Sequence, residues 1–125
     1  MLREAGTYAT LPANDLARAR AFYEDTLGLT VVEASAAGIF LEQRDGSRFF
    51  IFPTPGAASG THTQMTFRVD DVEAEVADLR SRGIEFLEYD FPGLKTVNGI
   101  ADAGDARLAW FKDTEGNLLN VVQLV

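Results

Sequence analysis

A self-similarity at an offset of 56 residues constrains this chain more than any other feature, because a repeat means that one structural unit is built twice. Tyr8-Ala9-Thr10-Leu11-Pro12-Ala13-Asn14-Asp15-Leu16 lies over Gln64-Met65-Thr66-Phe67-Arg68-Val69-Asp70-Asp71-Val72. Thr10 meets Thr66, Asp15 meets Asp71, and apolar Leu11 and Leu16 meet Phe67 and Val72. A helical stretch follows each copy: Leu16, Ala19, Tyr23 and Leu27 form one apolar stripe, and Val72, Val76 and Leu79 the other. Asn14-Asp15 and Asp70-Asp71 offer side-chain acceptors to the free amides of the first turn, with Asp70 and Glu73 spaced as a capping box. Gly28 and Gly83 stand where a helix ends in a left-handed residue.

Strand patterns fill the remainder. The first half predicts strands at Thr30–Ser35, Gly38–Glu42 and Arg48–Pro53, with a hairpin turn at Arg44-Asp45-Gly46-Ser47. The second half predicts strands at 84–89, 106–112 and 117–124, with Asp113-Thr114-Glu115-Gly116 as the matching turn. The chain is therefore expected to be one α+β domain of two βαβββ modules, 1–60 and 61–125, joined by the Gly-, Pro-, Ala- and Ser-rich segment 53–60. Neither half has core enough to stand alone, so the modules must pack together or exchange between subunits. Residues 91–105 are extra in the second half; their length and the glycines Gly93 and Gly99 suggest a hinged covering loop.

Composition removes several classes of function. The 125 residues include no cysteine and one histidine, which excludes disulfides, thiolate chemistry and any site needing two imidazoles from one chain. Nineteen acids against eleven bases leave a net charge of −8, with 12 acids and 6 bases in 61–125 and 7 and 5 in 1–60. Such a balance argues against nucleic acid as a partner and against anionic substrates. No apolar run approaches the roughly 20 residues that cross a bilayer. The start of the chain, Met1-Leu2-Arg3-Glu4-Ala5-Gly6, has no secretory-signal core, so a cytoplasmic location without membrane contact is expected. No Walker or dinucleotide glycine loop and no nucleophile elbow is present.

The sequence resembles the vicinal oxygen chelate superfamily, which includes glyoxalase I, extradiol dioxygenases, and fosfomycin- and bleomycin-resistance proteins. The likeness rests on Asn14-Asp15-Leu16, Ala21-Phe22-Tyr23 and Leu27-Gly28-Leu29 in the first half. In the second it rests on Phe67-Arg68-Val69-Asp70-Asp71-Val72, Gly83-Ile84 and Phe111-Lys112-Asp113-Thr114-Glu115-Gly116-Asn117. It implies paired βαβββ modules forming a curved, eight-stranded mixed sheet around a cleft, commonly in a homodimer. It also implies that metal-dependent members draw their ligands from the first and fourth strands of each module. Carried over, those positions are Tyr8, Phe50, Gln64 and Asn120. None is His, Asp or Glu. Amide oxygens and a neutral phenol are poor ligands for a transition metal and phenylalanine is none, so neither metal nor other cofactor is expected.

Strand alternation proposes the lining of the cleft. Tyr8 and Thr10 share a face, as do Arg48, Phe50 and Phe52, then His62, Gln64, Thr66 and Arg68, and finally Leu118, Asn120 and Val122. Trp110, the one tryptophan, stands on the strand after the insertion and either stacks on a ligand or packs. Arg107 either points into the cleft, where it would pair with an anionic substrate, or forms a surface salt bridge with Asp102 or Asp105. The candidate binding residues are thus Tyr8, Thr10, Arg48, Phe50, Phe52, His62, Gln64, Thr66, Trp110 and Asn120, around a small organic ligand with ring surfaces. Sequestration or resistance without turnover is the expected function. The alternatives are a metal-dependent lyase or dioxygenase with ligands elsewhere, or a metal-free isomerase or lyase using Tyr8 or His62 as acid–base group.

Overall fold

Backbone pairing repeats as the residues do. In a computed structural model that describes residues 1–56 and 58–125, the chain divides into two compact units, Met1–Ala58 and Ser59–Val125. Residue 57, within the joining segment, lies outside the described residues. The first unit holds β1 (Ala9–Ala13), α1 (Leu16–Ala21), β2 (Thr30–Ser35), β3 (Gly38–Glu42) and β4 (Arg48–Pro53), in sheet order β1-β4-β3-β2. The second holds β5 (Met65–Arg68), α2 (Val72–Ser81), β6 (Asp90–Phe91), β7 (Leu94–Val97), β8 (Ile100–Asp102), β9 (Ala106–Lys112) and β10 (Leu118–Leu124), in order β5-β10-β9-β8-β7-β6. In each unit the first strand runs parallel to the last. Thr10 lies opposite Phe50, and Thr66 opposite Asn120, so the repeat is kept to the residue.

The helices form where the caps predict them. Asp15 accepts from the Arg18 amide at 3.0 Å and Asp71 from the Ala74 amide at 3.1 Å. Asp71 is the cap, so the Asp70–Glu73 capping box does not form; Glu73 turns instead to Arg107. The first helix is α-helical only to Ala21, and a π-type turn over Phe22–Thr26 carries the chain to Gly28, left-handed at φ 73°. Leu11, Ala19, Tyr23, Phe49 and Ile51 are buried between α1 and its sheet, with the Tyr23 and Phe49 rings 5.6 Å apart. Val72, Val76, Phe111, Leu119 and Val121 are likewise buried in the second unit. Full burial of each Val, Leu, Ile or Phe side chain among them contributes about 1.5–3 kcal/mol.

The α+β class and two sheet-bearing modules stand, but the strands divide as four and six rather than four and four. Residues 84–89, expected as a strand, make only an isolated bridge, Phe86 to Phe111, and the Leu87 amide donates to the Trp110 carbonyl at 2.9 Å. The remaining length of β9 pairs with β8, through Ala101–Leu108 and Asp102–Arg107. The supposed covering loop is therefore a meander of short strands. Pro92-Gly93 turns β6 into β7, and Asn98-Gly99 turns β7 into β8, with φ 89° at Gly93, 53° at Asn98 and 81° at Gly99. Two consecutive positive φ angles are what an Asn-Gly hairpin turn supplies at least cost. These glycines make turns rather than hinges.

Candidate functional site

On the first unit, the sheet face turned away from α1 is aromatic. Residues 49 and 51 point into the core, so alternation sends Phe50 and Phe52 to the other side, where both are half-buried. The Phe50 ring lies 4.6 Å from Phe40 and 6.4 Å from Tyr8, and Tyr8 meets Phe40 edge-on at 5.1 Å. Tyr8 is 54% exposed and Thr10 is exposed beside it. Phe40 was absent from the expected lining, yet the alternation of Ile39 and Leu41 into the core already marked it. Arg48 shares this face but is occupied, donating to Glu42 at 3.0 Å and Glu33 at 3.3 Å.

On the second unit the equivalent face is polar at one edge and apolar at the other. Gln64 is clamped by its amide: Nε2 donates to Asn117 Oδ1 at 3.0 Å, and Oε1 accepts from the Leu118 amide at 3.2 Å. Asn117 is fully buried and also donates to Asp113, through its backbone at 2.9 Å and Nδ2 at 2.7 Å. The Asp113–Asn117 turn thus fixes both the start of β10 and the rotamer of Gln64. Asn120, between Thr66 and Trp110 in the ladders, is 5% exposed, and its buried Oδ1 has no hydrogen-bond partner among the described residues. A buried acceptor left unpaired costs about 1–3 kcal/mol, which a donor from a ligand would recover.

Trp110 is packed rather than presented. Its indole is 8% exposed, donates to Thr63 Oγ1 at 3.0 Å, and meets Tyr89 edge-on at 5.4 Å. Leu118 and Ala101 are buried with it, and Leu87, Leu94 and Leu108 pack around them. His62 lies in the exposed approach to β5, which begins only at Met65, so neither it nor Gln64 is a strand residue, and its Nδ1 is 3.4 Å from Ser59 Oγ. Arg107 turns to the opposite, helix-side face and bonds Glu73 at 2.6 Å, rather than pairing with Asp102 or Asp105. The Glu73 hydrogen bond holds its guanidinium more firmly protonated than an ordinary arginine.

The four positions that the family resemblance assigns to metal do not fit one. Phe50 has no donor atom, the Gln64 oxygen is already bonded to a backbone amide, and Asn120 offers only a neutral amide oxygen. Among the described residues no group of three or more His, Cys, Asp or Glu side chains could hold a metal ion. Nor is any helix among them long and apolar enough to cross a membrane.

The sequence model of the glyoxalase/bleomycin resistance protein/dioxygenase superfamily matches residues 7–121. Among curated proteins no sequence matches significantly. Solved structures match over nearly the whole chain. A bleomycin-binding protein complexed with bleomycin superposes with a TM-score of 0.71 at 24% identity, covering 97% of this chain and 99% of that one. An antibiotic-binding protein from Streptomyces sp. CB03234 gives 0.66 at 21% identity, with 98% of each chain covered. A fosfomycin resistance protein from Listeria monocytogenes gives 0.72 at 16% identity, covering 94% and 89%. At these identities the likeness is one of fold.

Proposed function

Because this chain belongs to the glyoxalase/bleomycin resistance protein/dioxygenase superfamily, we propose that it binds a small, ring-bearing organic molecule without a metal and holds it rather than turning it over. The observation that carries this proposal is the buried, unpartnered Oδ1 of Asn120 on a face where relatives would place a charged ligand. An amide oxygen there accepts a hydrogen bond from an N–H or O–H group of a ligand; it does not anchor a cation's inner shell. On the first unit, the Tyr8, Phe40 and Phe50 rings form an aromatic face that suits stacking against a ligand ring. The charge of −8 favours a neutral or basic ligand over an anion. Tyr8, Thr10, Phe50 and Phe52 on the first unit, and Gln64, Thr66 and Asn120 on the second, remain the proposed binding residues, with Trp110 beside Asn120 in the ladder. The reading carries with it a homodimer and a cytoplasmic location. The bleomycin-binding and antibiotic-binding names of two structural neighbours agree with sequestration.

Two measurements test it together. Protein purified without chelator should contain well under about 0.1 equivalent of transition metal by elemental analysis, as expected of a site whose donors are neutral amides. Calorimetric titration with bleomycin, basic and ring-bearing, should saturate and return the drug chemically unchanged, whereas the anion fosfomycin should not bind. Asn120→Leu should weaken bleomycin binding about tenfold, the worth of one buried hydrogen bond. Near-stoichiometric metal, or turnover dependent on it, would replace this reading with a metal-dependent lyase or dioxygenase.

A further inference from the structure

The meander of residues 90–102 widens the second sheet beyond the reach of α2. Leu94 and Ala101 belong to the Trp110 side, so alternation sends Lys95, Val97, Ile100 and Asp102 to the helix side. There α2 stops short of covering them. The result is a groove of about 590 Å³ between the helix and the extended sheet, within the range of small-molecule sites. Its floor is apolar: Val97 pairs with Ile100 across the hairpin and is 64% exposed, and Val76 and Ala77 of α2 face them.

The charges are arranged on either side of that floor. One flank is a balanced row. Arg107 is bonded to Glu73 and lies opposite Asp102 in the ladder, and Lys95 stands one residue beyond the Thr96–Ala101 pair, level with Asp102. The other flank is a single cation, Arg80. Its Nη2 donates to the Asn98 carbonyl at 2.8 Å, and its guanidinium lies 5.6 Å from the Phe86 ring centroid. A carbonyl and a ring face orient this guanidinium without neutralising it, and it has no carboxylate partner among the described residues. A fixed, unneutralised arginine beside an exposed apolar strip is unusual on a chain of net charge −8.

We propose that this groove is a second binding site, for a small amphipathic carboxylate whose head pairs with Arg80 and whose apolar body lies along Val97, Ile100 and Ala77. It faces the opposite side of the sheet from Asn120 and selects the opposite charge. Octanoate is the probe and octylammonium its charge-reversed control, each titrated into isotopically labelled protein and followed by amide NMR shifts. Octanoate should perturb residues 76–80 and 95–102 saturably, with millimolar or tighter affinity for so small a ligand. Octylammonium should not. Arg80→Gln should weaken octanoate about tenfold by removing a charge-assisted pair, and Val97→Asp should abolish binding, both with the remaining spectrum intact. No shift in those residues up to about 20 mM octanoate, far beyond a millimolar Kd, would overturn the proposal. So would equal binding of octylammonium, or an unaltered affinity in Arg80→Gln. None of these results bears on bleomycin or metal content, so this site and the Asn120 face fail or survive separately.

Discussion

Two buried asparagines on the second unit do opposite things with the same side chain. Asn117 is satisfied at both ends of its amide, by Gln64 and by Asp113, and closes the turn that starts β10. Asn120 is nearly as buried but leaves its oxygen unpaired. Removing a group whose partners then lie buried and unsatisfied costs more than the bond itself. Asn117→Ala is therefore expected to lose about 2–4 kcal/mol in urea unfolding, since a carboxylate and an amide both lose a partner. A loss below about 0.5 kcal/mol, typical of an uninvolved surface change, would mean that the turn holds without it. Asn120→Leu should instead leave stability unchanged or raised while binding falls. That divergence separates a structural amide from one kept for a ligand.

Among the elements, the meander of β6, β7 and β8 differs most from a plain repeat of the first module. It takes over half the edge of β9, and Leu94 and Tyr89 come down on the Trp110 face. Because the chain has one tryptophan, its fluorescence reports this cover directly. Leu94→Ala should shift Trp110 emission to the red as water reaches the indole, and cost about 1–3 kcal/mol, at the lower side of core truncations because Leu94 is only partly buried. Unchanged emission would show that the indole is shielded by other groups. The Asn-Gly and Pro-Gly pairs of this segment were legible hairpin signals. They were outweighed by the length of the stretch, which suggests a lid when read without its turns.

At the scale of the molecule, each unit is small. Domains of about 60 residues bury only about 60% of their unfolded surface, so units of this size gain from further burial. The proposed homodimer would supply such burial, and sedimentation equilibrium should then return twice the 13.6 kDa chain mass. A monomer at about 10 μM, a concentration at which even a micromolar dimer would be largely formed, would reject it. A net charge of −8 should discourage association with nucleic acid most strongly at low salt, where the repulsion is least screened.

The residues alone determined the repeat, the two caps, the left-handed glycines and the inward-facing side of most strands, because each depends on neighbours within a few positions. Phe40 was legible by the same rule and needed only its strand to be read by faces. Tertiary structure decided which segment lies beside β9. Residues 84–89 lie beside Trp110 and Phe111 and residues 100–102 beside Arg107 and Leu108, and this division buries Trp110, Leu118 and Ala101 together, a contact among distant positions that no local pattern encodes. The partners of Arg107 and Arg80 were hidden for the same reason. Several carboxylates and carbonyls lie within reach along the sequence, and only the packing of α2 on the widened sheet selects Glu73 for one and the Asn98 carbonyl for the other.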